Sequence, residues 1–156
     1  MNSTLNGVLN GIILVEDDDG HALLIEKNLR RAGVNNPLLR LHDGQEALDY
    51  FFSGSASAHA PVRFTSAVVL LDVNMPRIDG VEVLRRLKAD PATAMLPVIM
   101  LTTTDDPREI ARCYELGCNI YVTKPVEYSA FVEAIQRLGF FLQVVKLPPS
   151  SKKSGT

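Results

Sequence analysis

Carboxylates, a hydroxyl and an ammonium group each close an apolar run in this 156-residue chain. Ile12-Ile13-Leu14-Val15 runs into Glu16 and Asp17, and Val68-Val69-Leu70-Leu71 runs into Asp72. Val98-Ile99-Met100-Leu101 ends in Thr102, and Ile120-Tyr121-Val122-Thr123 ends in Lys124-Pro125. In an open parallel sheet, ligands bind outside the carboxyl ends of the strands, so these residues can converge on one crevice although they are scattered in sequence. Carboxylates forced together repel, and each unit of pKa shift corresponds to ~1.4 kcal/mol, so such a cluster needs protons or a cation. An all-oxygen ligand set favours Mg2+ or Mn2+, with several waters retained. Asp17 and Asp72 are expected to touch the ion directly and Glu16 to act nearby or through water. Asp18 and Asp19 read instead as caps of the following helix. A carboxylate nucleophile with a cation, an ammonium and a hydroxyl around it is what phosphoryl chemistry on a carboxylate needs.

The elements that would carry these groups are legible. Five strand-like apolar runs, near 12–16, 38–42, 67–72, 97–102 and 119–123, alternate with helical patterns, the signature of a wound parallel sheet with helices on both faces. Asp106 can cap the fourth helix, with Pro107 at its first position, Glu109 completing a capping box and Gly117 at the exit. Asp79 and Glu82 open the third helix in the same way, and Val83, Leu84 and Leu87 give it an apolar stripe. Gly33 closes the first. Between about 53 and 66 the chain is rich in small residues and reads as a tolerated surface loop, longer than most connections. A final helical pattern runs from about Glu127 to Lys146, and Pro148-Pro149 stop it.

Composition narrows the function further. Sixteen Lys and Arg against eighteen Asp and Glu leave a formal charge of -2, which gives no general attraction to nucleic acid or an anionic membrane. No apolar run approaches the roughly 20 residues of a membrane span, and the amino terminus lacks a basic region before an apolar core. A soluble cytoplasmic protein is expected. Cys113 and Cys118 have no His or Cys cluster to complete a zinc site and read as reduced thiols. His21, His42 and His59 read as surface or structural histidines.

Val15-Glu16-Asp17-Asp18, Leu71-Asp72-Val73-Asn74-Met75-Pro76 with Asp79-Gly80, Leu101-Thr102 and Lys124-Pro125 together resemble the receiver domains of two-component response regulators. The match runs in order over roughly residues 10 to 140. The resemblance implies a flavodoxin-like, doubly wound five-stranded parallel sheet of order 2-1-3-4-5 with an extended C-terminal helix. It implies a receiver domain over 8–147, a short polar tail over 148–156 and no output domain. By the same resemblance Asp72 is the phosphoacceptor, and Glu16 and Asp17 are the acid pair. The backbone carbonyl of Asn74 is the remaining protein ligand of Mg2+, while Thr102 and Lys124 hold the phosphoryl group. The donor is a histidine phosphate on a sensor kinase or a small acyl phosphate. The Lys124–Pro125 bond is expected to be cis. Tyr121, on the face of its strand opposite Lys124, is the aromatic switch that follows Thr102, and Asn74 and Thr104 tune the phosphate's lifetime. Thr103 is larger than the residue often found there, which weighs against fast reaction with small donors.

The stretches Cys113-Tyr114-Glu115-Leu116-Gly117, Asn119-Ile120-Tyr121 and Phe140-Phe141-Leu142 are similar to the stand-alone regulators associated with bacterial and cyanobacterial phytochrome histidine kinases. That likeness implies a photoreceptor kinase as partner and a homodimer through the fourth helix, fifth strand and fifth helix, with Tyr121, Phe140 and Phe141 in the contact. Phe131, Ile135, Leu138 and Leu142 have core spacing, and Phe140, Phe141, Val144 and Val145 exceed what one sheet can cover. Two other readings compete. A metal-dependent phosphohydrolase would want a second acid two residues beyond the nucleophile, where this chain has Asn74. A flavodoxin-like mononucleotide binder would want a phosphate-cradling first turn, where Glu16-Asp17-Asp18-Asp19-Gly20 is acidic.

Overall fold

Strands with apolar residues at both odd and even positions must be covered on both faces, and helices supply the cover. The computed structural model describes residues 11–53 and 66–144. In chain order the elements are β1 (Gly11–Val15), α1 (Asp19–Arg31), β2 (Leu38–Leu41), α2 (Gly44–Phe52), β3 (Ala67–Leu71), α3 (Gly80–Ala89), β4 (Val98–Thr102), α4 (Pro107–Leu116), β5 (Ile120–Thr123) and α5 (Tyr128–Val144). The five strands are parallel in the order β2-β1-β3-β4-β5. This is the expected fold, and every strand lies within one residue of its sequence-based bounds.

Alternation along the strands divides the core. Ile13, Val15, Val69, Leu71 and Met100 face α2, α3 and α4 and pack with Leu84, Leu87 and Cys113. Ile12, Leu14, Val68, Leu70, Ile99 and Leu101 face α1 and α5 and pack with Ile25, Leu29, Phe131 and Ile135. A one-residue slip in any central strand would exchange the two sets, so the register is strongly specified.

The caps act largely as their residue types require. Asp18, Asp43, Asp79 and Asp106 precede α1, α2, α3 and α4, and each accepts a hydrogen bond from an amide of the first turn. Asp106 takes the Arg108 amide, one residue earlier than a capping box would use. Gly117 ends α4 at φ +111°, a left-handed conformation that a side chain would strain. In α5, Phe131, Ile135, Leu138 and Leu142 are buried as their spacing predicts, whereas Phe140 and Val144 are more than two-thirds exposed. Cys113 and Cys118 are buried free thiols. Among the described residues no helix is long and apolar enough to cross a membrane. The small-residue loop with His59, the tail over 148–156, Val145 and the end of the final helical pattern lie outside the described residues.

Candidate functional site

The crevice begins with strand register. β1 and β3 pair with Val15 opposite Leu71, so Glu16 and Asp72, the next residues of each strand, leave the sheet side by side. The Asp72 amide still donates to the Val15 carbonyl at 3.1 Å, and the Glu16 amide to Leu41 at 3.0 Å, so both acids are held by ladder hydrogen bonds. Asp17 follows on the exposed turn. One carboxylate oxygen from each of Glu16, Asp17 and Asp72 lies within 4.8 Å of the others. Glu16 is 1% exposed and Asp72 6%. Burial pushes the Glu16 carboxyl up to about 7, against the hydrogen bond and charge of Lys124, and the charge of Asp72 adds to the rise. A group of hard oxygen donors in which the buried Glu16 carboxyl resists ionisation fits a divalent cation.

The third helix starts directly beneath the nucleophile candidate. The Gly80 amide donates to the Val73 carbonyl at 2.9 Å, and a Cβ on Gly80 would sit 2.0 Å from the Asp72 carbonyl oxygen. The Asp79-Gly80 pair of the motif therefore has two duties: Asp79 caps α3, and Gly80 lets the helix approach the strand end. The amide of Asn74 donates to Asp72 Oδ1 at 3.2 Å and fixes the carboxylate's other side.

β4 and β5 bring the remaining groups. The Lys124 amide donates to the Thr102 carbonyl at 2.6 Å, extending the β4–β5 ladder by one residue. The Lys124 side chain is buried and its ammonium donates to Glu16 Oε1 at 2.8 Å and, at 3.5 Å, toward Asp72 Oδ2. Such an ion pair is costly to break from one side, because the remaining charge is left buried. The peptide before Pro125 is trans, contrary to the expectation drawn from resemblance. Trans is the lower-energy isomer of an X–Pro bond by about 0.5–1 kcal/mol, and here it already lets Lys124 reach both acids.

Thr102 is fully buried. Its hydroxyl accepts long contacts, 3.4 Å each, from the Asn74 amide group and the Thr104 backbone amide. Asn74 Nδ2 makes its shortest bond, 2.9 Å, to Thr104 Oγ1 and also reaches Thr103 Oγ1 at 3.4 Å. Tyr121 packs against the α2–α4 side of the core, the face opposite Lys124, and its hydroxyl donates to the Thr104 carbonyl at 2.7 Å. Burial holds that phenol up to about 12, so it remains a donor throughout the neutral range. Asn74, Thr102, Thr104 and Tyr121 thus form one polar path from the crevice to the α4–β5 surface. Phe140 and Phe141, on the last turns of α5, take no part in the crevice.

Two residues of the site escaped the sequence reading. His21 is not merely a surface histidine: its Nδ1 lies 3.1 Å from the Lys124 ammonium, and its ring tilts against Phe131 at 5.7 Å. Nothing in the local sequence signals this, since β5 and α5 must fold back to meet α1. Arg40 donates from Nε and Nη2 to the Glu16 carbonyl at 3.1 and 2.7 Å and from Nη1 to Asp19 at 2.8 Å, clamping the acid-bearing turn. An arginine interrupting Leu38-Leu39-Arg40-Leu41 beside an acidic turn was a usable signal. His42 bonds Glu46 within its own helix start.

Comparison with known proteins identifies the family. Residues 12–136 match the response regulator receiver domain family. A receiver domain from Rhodospirillum rubrum is 48% identical in sequence, with a TM-score of 0.82 over 90% of this chain and 98% of its own. The response regulator Rcp1 of Synechocystis is 31% identical over 88% of this chain and 92% of its own length, and the crystal structure of its Mn2+-bound form superposes with a TM-score of 0.80 over 89% and 99% of the two chains. The phosphorylated cyanobacterial phytochrome response regulator RcpA is 32% identical, with a TM-score of 0.79 over 90% and 99%.

Proposed function

The chain belongs to the response regulator receiver domain family, and from that premise we propose that it accepts a phosphoryl group on Asp72 from the phosphohistidine of a sensor kinase. The observation that carries this reading is the Asp72 carboxylate, buried at the end of β3 between Lys124 and a cluster of acids suited to a cation. An Asp72 oxygen attacks phosphorus, the bond from phosphorus to the donor's imidazole nitrogen breaks, and the freed imidazole takes a proton from water. Asp17, Asp72 and the Asn74 backbone carbonyl would hold Mg2+ (or Mn2+), with Glu16 acting through water. When bound, the ion offsets charge on the phosphoryl oxygens and orients them.

Lys124 is already aimed at Asp72 and can exchange its longest contact for a phosphoryl oxygen. The Thr102 hydroxyl holds only long hydrogen bonds, so it can turn to donate to another. Thr104 would be pulled with it, and Tyr121, bonded to the Thr104 carbonyl, would pass the change to the α4–β5–α5 face. Asn74 and Thr104 stand where they would govern access of water and so the lifetime of the acyl phosphate. The output is by protein contact: Phe140, Phe141 and Val144 leave an apolar face on α5, and Tyr114 adds a half-exposed ring on α4. A symmetric homodimer through these surfaces and Tyr121 would cover them. Likeness to the phytochrome response regulator RcpA supports a phytochrome-type kinase as the donor, and a cytoplasmic setting goes with that reading.

The test is labelling with a radioactive small acyl phosphate and with a phosphorylated phytochrome kinase. Label should require Mg2+, be lost to hydroxylamine and be absent from Asp72→Asn. A stable, acid-resistant phosphate on Ser or Thr would contradict the reading.

A further inference from the structure

A lysine ammonium has three hydrogens to donate and no acceptor of its own. For Lys124 the structure supplies three partners: Glu16 Oε1 at 2.8 Å, His21 Nδ1 at 3.1 Å and Asp72 Oδ2 at 3.5 Å. Because the ammonium can only donate, this contact is a hydrogen bond when Nδ1 of His21 accepts, which is the tautomer with the ring hydrogen on Nε2. The alternative, an Nδ1–H donating to Glu16 Oε2 at 3.8 Å, is too long to be a hydrogen bond. His21 is itself held at its backbone and at its ring. Its backbone amide donates to the Asp18 cap at 2.9 Å, and its ring rests on buried Phe131 of α5.

We infer that His21 is a positioning residue for Lys124. With two hydrogens engaged by Glu16 and His21, the third is directed at Asp72, where a phosphoryl oxygen would arrive. The inference rests on the receiver reading of Asp72 and adds to it a residue outside the motif. Without the imidazole acceptor, one hydrogen of the ammonium is unassigned, and the side chain can swing toward the solvent side that His21 now covers. His21 never touches the reacting atoms in this scheme; it acts through the direction of the Lys124 N–H bonds.

Three proteins test it: wild type, His21→Leu, which keeps bulk against Phe131 but removes the acceptor, and His21→Gln, which restores an acceptor oxygen. Phosphorylation by a small acyl phosphate at saturating Mg2+ should slow by about tenfold in His21→Leu, less than the ~100-fold of a full ångström's misplacement. Mg2+ affinity, read by calorimetry, should stay within about twofold, because no metal ligand is lost. His21→Gln should recover most of the rate, and the Lys124 ammonium signal in nitrogen NMR should move in the Leu variant and return in the Gln variant. A wild-type rate in His21→Leu, or a His21→Gln protein as slow as His21→Leu, overturns the assignment while leaving the receiver reading intact. A wild type that takes no label on Asp72 overturns the receiver reading and this inference with it.

Discussion

Replacing Gly80 by alanine should injure the nucleophile and not only the helix it starts. The added Cβ would meet the Asp72 carbonyl oxygen at 2.0 Å, the Asp72 carbonyl carbon at 2.8 Å and Val73 Cα at 2.9 Å. All three are backbone atoms, so no side chain can rotate away. To reach ordinary contact, at about 3.4 Å, α3 must retreat or the end of β3 must shift, and the Gly80 to Val73 hydrogen bond stretches in either case. Overpacking of this kind costs about 1–3 kcal/mol, and the backbone obstacle places it at the upper end. Alanine's better helix propensity returns at most about 1 kcal/mol. A net loss of about 2 kcal/mol is expected, read as a fall of about 1 M in the urea midpoint for an m near 2 kcal/mol/M. Phosphorylation of Asp72 should slow more than stability alone explains, up to ~100-fold for a displacement near 1 Å. Gly20→Ala is the comparison, since its Cβ would meet only Asp18 Oδ1 at 3.3 Å, a side-chain atom that caps α1 through the His21 amide and needs to give only slightly. That variant should stay within about 0.5 kcal/mol of wild type. A Gly80→Ala protein with the wild-type midpoint and labelling rate would refute the claim that the close approach of α3 sets the position of Asp72.

Asp17→Asn should weaken Mg2+ binding in calorimetry by at least the roughly tenfold that even an outer-shell partner is worth, while the folding midpoint holds or rises, because one of three mutually repelling acids is neutralised. An unfolded variant would count against a metal role. Tyr121, with a folded pKa near 12 against 10 for an ordinary phenol, contributes stability that is complete below pH 10 and lost as pH rises from 10 to 12. Ultraviolet titration of wild type minus Tyr121→Phe should therefore show a phenol ionising near 12, and a component near 10 would mean that the ring does not keep its buried position in solution. Replacing Phe140 and Phe141 together by Glu should raise the dimer dissociation constant at least about 100-fold, since charge would be buried against apolar partners, with phosphorylation of Asp72 unaffected. Sedimentation of a wild-type protein that stays monomeric at tens of micromolar, phosphorylated or not, would remove the α5 face as the interface.

What this chain declared by sequence alone is local in origin. Apolar runs of four or five residues ending in Glu16, Asp72, Thr102 and Lys124 marked the strands and the ends that matter, because strand burial and helix capping depend on near neighbours. The capping aspartates at 79 and 106 and the exit glycine at 117 were legible for the same reason, as was the core stripe of α5. The family motif then assigned the order of the strands. Tertiary structure decided everything that depends on side chains far apart in sequence: that His21, Glu16 and Asp72 share one ammonium, that Arg40 grips the Glu16 turn, and that Tyr121 bonds the Thr104 carbonyl. It also showed the bond before Pro125 to be trans, the isomer that an X–Pro bond prefers by about 0.5–1 kcal/mol. Hydrogen-bond partners are chosen by distance and direction in three dimensions, and His21 looked like a surface histidine until β5 and α5 were folded against α1.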